Sequence, residues 1–210
     1  MAHLTVAKET QFEAVIENSR FLAYVWPAAG PEEAADLLEQ VRAAHPDATH
    51  HCWAYKFAEA QRFSDDGEPG GTAGRPMLEV LLKRELDMLL AVVVRYYGGK
   101  KLGAGGLVRA YSGTLSKALD QAGVREVVDL VTLRVAAPFA LVDTVLRTVD
   151  DLVAQHGSAG KIEPQFGPEG LELELTLPDF QLEGAQARLI EVTNGVVRLE
   201  PPPGPPPPPA

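Results

Sequence analysis

Cysteine, asparagine and long apolar runs are scarce in this sequence. One residue of 210 is cysteine, Cys52, which excludes an intramolecular disulfide and fits a reducing compartment. Two are asparagine, Asn18 and Asn194, and with the lone thiol that scarcity fits a heat-tolerant source. No apolar stretch reaches membrane-spanning length, so no membrane partner is expected. The chain does not open on a basic segment followed by an apolar run, so no signal peptide is expected, and the cytoplasm is the expected location. Positive charge is also short. Nineteen Lys and Arg against 29 Asp and Glu leave a net charge of −10 at pH 7, which excludes general coating of nucleic acid but permits one local basic patch. What the chain does have is apolar content: 46% of residues, with 23% charged, is enough for a packed body of one or two domains.

The rest is organised around Ala91 to Ser116. Val92, Val93 and Val94 are three β-branched residues in a row, which suits a strand covered on both faces. Five of the nine residues from Gly98 to Gly106 are glycine. Glycine tolerates positive φ and lets a ligand approach the backbone. Leu107, Tyr111, Leu115 and Ala118 then recur at helical spacing, which predicts a helix starting near Gly105 or Gly106. Its free N–H groups and dipole would favour an anion. Arg95, Lys100, Lys101, Arg109 and Lys117 are the only charged residues between Met88 and Leu119. A tight strand-to-helix turn with solvating lysines would use the same residue types. The spacing matches neither the P-loop nor the dinucleotide fingerprint.

Before this stretch, Phe12 to Ile16 and Arg20 to Trp26 read as strands joined by a Glu-Asn-Ser turn. Gly30-Pro31-Glu32-Glu33 opens a helix with Ala34, Leu37, Leu38 and Val41 on one stripe, and His45-Pro46 ends it. His50 to Phe57 reads as a third strand. His50 and Cys52 share a face, but two ligands make no metal site, and none is expected. Phe63 to Pro76 reads as a second glycine-rich loop carrying Asp65, Asp66 and Glu68. These acids either form a solvated turn or orient Arg95, Lys100 or Lys101 across a cleft. Pro76 is expected to open a helix with Leu78, Leu81 and Leu82 facing inward, and Gly123 to cap the helix through Leu107.

After Val127 the composition shifts. Residues up to Val127 include 14 basic and 17 acidic; those from Val128 include 5 basic and 12 acidic. The expected domains are therefore 1–127 and 128–200, followed by a proline-rich, disordered tail over 201–210. The second domain reads strand (Leu130 to Ala137), helix (Phe139 to His156), strand (Lys161 to Phe166), strand (Leu171 to Leu177), helix (Asp179 to Thr193), strand (Val196 to Leu199). This βαββαβ order is ferredoxin-like, and the overall fold class is α+β.

Three blocks resemble the YigZ/IMPACT family: His51-Cys52-Trp53-Ala54-Tyr55; Phe63 to Pro69 with Gly71-Thr72-Ala73-Gly74; and Arg95 to Gly99 with Leu102-Gly103 and Gly105-Gly106-Leu107. The resemblance implies a bacterial two-domain member. It implies a first domain with the fold shared by domain IV of elongation factor G and GHMP kinases, and a second similar to domain V of that factor. Eukaryotic relatives regulate translation by competing for an activator of an initiation-factor kinase, through chains with a different N-terminal partner domain. Bacterial relatives look ribosome- or RNA-associated. GHMP kinases bind phosphates at a loop comparable in design but not in sequence, so kinase chemistry is not carried over.

The expectation is a non-enzymatic, translation-associated binder of RNA or the ribosome, with no cofactor and no catalytic set. Arg95, Tyr97, Gly98, Gly99, Lys100, Lys101, Gly105, Gly106 and Arg109 would form the anion site, with Tyr96 or Tyr97 stacking on bases. Ser64, Asp65, Asp66, Glu68 and Thr72 would form the second loop of its cleft. The alternatives are an enzyme acting on a small phosphorylated substrate, with Asp65 or Asp66 as base or holding magnesium, and a regulator docking a protein partner on its acidic second domain. Either a monomer or a homodimer is compatible with these readings.

Overall fold

The computed structural model describes residues 2–155, 160–161 and 163–200. The expected proline tail, His156 and Ile162 lie outside the described residues. The chain forms two compact units, His3–Val127 and a second beginning at Val128.

The first unit is built on a five-stranded antiparallel sheet in the order β2-β3-β6-β4-β5. Its strands are β2 (Thr10–Ile16), β3 (Ser19–Pro27), β4 (His50–Phe57), β5 (Ala60–Ser64) and β6 (Leu89–Tyr96). A separate two-stranded ladder joins β1 (His3–Val6) to β7 (Val124–Val127). The helices are α1 (Pro31–Ala44), α2 (Gly74–Lys83) and α3 (Gly103–Ala122). The central strand β6 is buried on both faces, as its valine run requires. Ala91 and Val93, with Phe21, Val25, Cys52 and Ala54, pack in one cluster with Met77, Leu81, Leu107, Tyr111 and Leu115 of α2 and α3. Leu90, Val92 and Val94, with Leu22, Tyr55 and Phe57, pack with Ala34, Leu38 and Val41 of α1.

Several boundaries differ from expectation. The β5 strand takes Phe63 and Ser64 out of the second loop, by pairing with Ala54 and Trp53. Helix α2 begins at Gly74 rather than Pro76, and Leu82 is exposed, because the inner stripe runs through Met77, Leu78 and Leu81. Helix α3 begins at Gly103, two or three residues before the predicted start.

The β2–β3 turn fixes the geometry of the glycine loop. Glu17 and Asn18 take φ of 47° and 65°, between the paired residues Ile16 and Ser19, as in a two-residue hairpin turn. Gly98 lies directly against this turn: a Cβ there would sit 2.0 Å from the Asn18 carbonyl oxygen. Only glycine fits.

The second unit contains β8 (Leu130–Ala137), α4 (Val142–Gln155), β9 (Gly160–Lys161), β10 (Gln165–Gly167), β11 (Gly170–Pro178), α5 (Leu182–Val192) and β12 (Arg198–Glu200). Sheet order β10-β11-β8-β12 gives the ferredoxin-like βαββαβ topology, with β9 pairing β11 separately. Short 3-10 turns, Phe139–Leu141 and Asp179–Gln181, precede α4 and α5, so both helices start later than expected. Leu133, Val135, Leu173 and Leu175 pack with Val145 and Val149 of α4 and Leu189 of α5. Arg134, paired at 3.1 Å with Glu174, marks the wet face.

Gly98→Ala is expected to cost several kcal/mol, on the order of 3, because backbone must move to admit the methyl group. Urea denaturation measures it, with Gly105→Ala as the control. A Cβ at Gly105 meets nothing closer than the Arg109 side chain at 3.6 Å, and its stability should change by less than about 1 kcal/mol.

Candidate anion-binding site

Strand parity decides the fate of the first basic residue. Arg95 shares a face of β6 with Ala91 and Val93, so its side chain turns toward α3 and is 5% exposed. Its Nη1 donates to Glu68 Oε1 at 2.6 Å and its Nη2 to Ser19 Oγ at 3.2 Å. The guanidinium also lies 5.4 Å from the ring centres of Phe21 and Tyr97. Tyr111 of α3 donates its hydroxyl to the same Glu68 oxygen at 2.7 Å. Arg95 and Glu68 therefore form a buried pair, and Arg95 does not offer its charge to a solvent anion.

The acidic loop is likewise committed inward. Asp65 accepts the amides of Gly71, Ala73 and Gly74 at 2.7, 2.9 and 2.8 Å, which secures the N-terminus of α2. The Asp66 carboxylate accepts the His51 amide at 2.6 Å. Asp66 also takes φ of 42°, and its carbonyl accepts the Nδ1–H of His50 at 2.7 Å. Ser64 Oγ accepts the Asp66 amide, and buried Thr72 donates its hydroxyl to the Pro69 carbonyl. Of the three acids expected to face the basic residues, only Glu68 meets one, Arg95. Cys52 donates to the Asp65 carbonyl at 3.0 Å, and burial pushes its thiol pKa well up, which removes it as a nucleophile at neutral pH.

On the opposite face, His45 joins Tyr24 and Tyr96 through its two ring nitrogens, at 2.6 and 2.8 Å. Burial lowers its pKa and keeps the ring neutral, donating to one phenol and accepting from the other. Tyr96 is thereby engaged at the end of α1, while Tyr97 is exposed and its amide donates to Thr49 Oγ1 at 3.0 Å.

Beyond Tyr97 the loop turns outward. The Gly98 amide is taken by Ser19 Oγ at 3.2 Å. Gly99 and Gly103 take φ of 85° and 69°, where glycine is favoured. Lys100 is exposed and pairs with Glu17, and Lys101 is exposed. No side chain caps α3 at Leu102, and the first turn carries no acid. The Arg109 guanidinium reaches back over that turn, as the 3.6 Å approach to a Gly105 Cβ shows. Lys100 and Lys101 are thus exposed on the loop that leads into the uncapped start of α3, and Arg109 lies over its first turn, while Arg95, Asp65, Asp66 and Glu68 form the scaffold beneath.

Ser19, Tyr111, Glu17 and Thr49 are site residues that sequence reasoning missed. Tyr111 carried only the signal of a core stripe, and Ser19 only that of a turn. The inward direction of Arg95, by contrast, follows from the alternation along β6.

An α+β protein of two units, the first bearing the three interlocked sequence blocks, is the class this geometry defines. Residues 17–119 match the Impact N-terminal domain. The chain is 36% identical to the IMPACT family member YigZ of Escherichia coli over 203 residues, covering 94% of each. It is 45% identical over 166 residues to a Thermus thermophilus IMPACT family member, covering 78% of this chain and 87% of that one. Bacillus subtilis YvyE is 47% identical over 128 residues, covering 60% of this chain and 59% of that one. A crystal structure described as that of a hypothetical protein has a TM-score of 0.63 at 34% identity, over 94% of this chain and 96% of that one. The chain belongs to the IMPACT family.

Removing one partner of the buried pair strands the other charge. Glu68→Ala is expected to cost about 3–5 kcal/mol in urea denaturation, and the double change Glu68→Leu with Arg95→Met clearly less than the sum of the two singles. Additive costs would show that the pair does not act as a unit.

Proposed function

We propose that this protein is a non-catalytic, translation-associated binder of RNA, free or in the ribosome, and that the start of α3 is its phosphate contact. The carrying observation is a first turn without a side-chain cap or an acid, with Arg109 over it and Lys100 and Lys101 exposed on the loop that enters it. Backbone amides and the positive helix end suit a phosphate, and the cations add a salt-dependent attraction. The small residues Ala104, Gly105 and Gly106 let a phosphate approach the turn closely. Tyr97, 46% exposed, stands one residue before the loop and offers a stacking face. The Lys100–Glu17 pair opposes this little, since exposed ion pairs are weak and yield to a stronger anion.

Asp65 and Asp66 favour binding over chemistry. Asp65 holds three backbone amides and Asp66 one, so both carboxylates serve the loop's own structure in the unliganded protein. Occupation of these groups is what separates the binding reading from the phosphate-enzyme alternative.

Fluorescence anisotropy of a labelled single-stranded oligoribonucleotide tests the proposal across a salt series. The Lys100→Ala/Lys101→Ala protein should bind roughly tenfold more weakly, with a log–log salt slope shallower by about 1.4, as for two lost single-strand phosphate contacts. An unchanged slope would remove α3 as the contact. The Gly105→Ala protein, with its fold retained, should lose affinity by crowding the same turn.

A further inference from the structure

Between α4 and α5 of the second unit lies a groove with a volume of about 480 Å3. Leu175 and Leu177 of β11, Leu152 of α4 and Ala185 of α5 give it an apolar lining. Phe180 also lines it and is 60% exposed. So does Gly184, a glycine inside α5 that its own surroundings do not explain. Its φ is not positive, and a Cβ there would meet nothing within 4 Å. Glycine is unfavourable within a helix, so what this one provides is room in the groove.

Strand register brings the end of the chain toward the same place. β12 pairs antiparallel with β8 through Arg198–Ala136, Leu199–Val135 and Glu200–Arg134. Each further residue on that course stands one place nearer the start of β8, so Gly204 would come level with Leu130. Leu130 pairs with Pro178, and Leu177 of the groove pairs with Val131. The chain leaving β12 and the groove therefore meet at one end of the sheet, where Leu130 and Phe180 are both exposed.

The composition of the last ten residues suits that surface. Residues 201–210 carry no charged side chain, and 205–209 are five prolines in succession. They bring no N–H groups that an apolar wall would leave unpaired. A proline run is already set in the polyproline II form, so ordering it against a wall loses little conformational entropy. Reach is sufficient: β11 lies two strand spacings from β12, about 10 Å, and five prolines in that form span about 16 Å. Gly204, the one glycine of the ten, permits the change of direction.

We propose that residues 205–209 dock across Phe180 into the groove between α4 and α5, so that the chain covers its own apolar surface. The proline rings lie on the Phe180 ring, and Gly184 leaves the space they enter.

Thermal unfolding of the full chain tests this against a protein with Pro205→Ser, Pro206→Ser, Pro207→Ser, Pro208→Ser and Pro209→Ser, which keeps length and charge. The serine protein should melt about 3 °C lower. Phe180→Ala should lower the midpoint in the parent and clearly less in the serine protein. Gly184→Ala should raise the midpoint of the serine protein through helix propensity and lose that gain in the parent, where the methyl group meets the prolines. A labelled peptide with the sequence of residues 201–210 should bind the serine protein about fivefold tighter than the parent, whose own tail competes for the groove. Equal midpoints of parent and serine protein overturn the proposal, as do additive effects of Phe180→Ala. Equal peptide binding to both proteins also overturns it, by showing a groove open to a separate proline-rich partner.

Discussion

The buried pair between Glu68 and Arg95 is the constraint on which the first unit depends. Its members come from the β5–α2 loop and the end of β6, and Tyr111 and Ser19 attach α3 and the β2–β3 turn to the same two side chains. Four separate pieces of chain are thus held by one carboxylate and one guanidinium. Net stability is a poor explanation for such a pair, because desolvation offsets most of the attraction. Its consequence is geometric. A charge buried here has one acceptable partner, so the two glycine-rich segments have one acceptable relative placement. The exposed loop leaves this scaffold at Gly98, whose close approach to Asn18 fixes where Gly99 to Leu102 begin.

The glycines that make both loops look like ligand cradles therefore have three different causes. Gly74 and Gly98 are required by close approach, with a Cβ 2.5 Å from Ser64 oxygen in one case and 2.0 Å from Asn18 oxygen in the other. Gly99 and Gly103 are favoured by positive φ. In the first turn of α3, Gly106 is crowded, with a Cβ 3.1 Å from Leu102 Cβ, while Gly105 answers to neither cause and meets only the Arg109 side chain at 3.6 Å. Only Gly105 bears on what approaches from outside. Composition cannot separate these causes, because each is a property of the neighbour rather than of the glycine.

Periodicity made most of the architecture legible. The valine run, the alternation in β3 and β11, and the stripes of α1 and α3 each specify a buried face, and the βαββαβ order followed from their succession. The short strands β1, β5 and β7 escaped because their burial is one-sided or slight, so their pattern resembles loop. The site was legible as a place and less so as a set of roles. The cations and glycines were visible, but charge does not say whether it is spent. Asp65 could be read as a base only until its three amide partners were seen, and Arg95 as a phosphate ligand only until strand parity was applied.

The two units then present opposite chemistry. The first places Lys100, Lys101 and Arg109 at a helix start, in a half of the chain that is otherwise mildly acidic. The second is strongly acidic. A polyanion would be attracted to the first and repelled by the second, and both forces weaken as salt screens them.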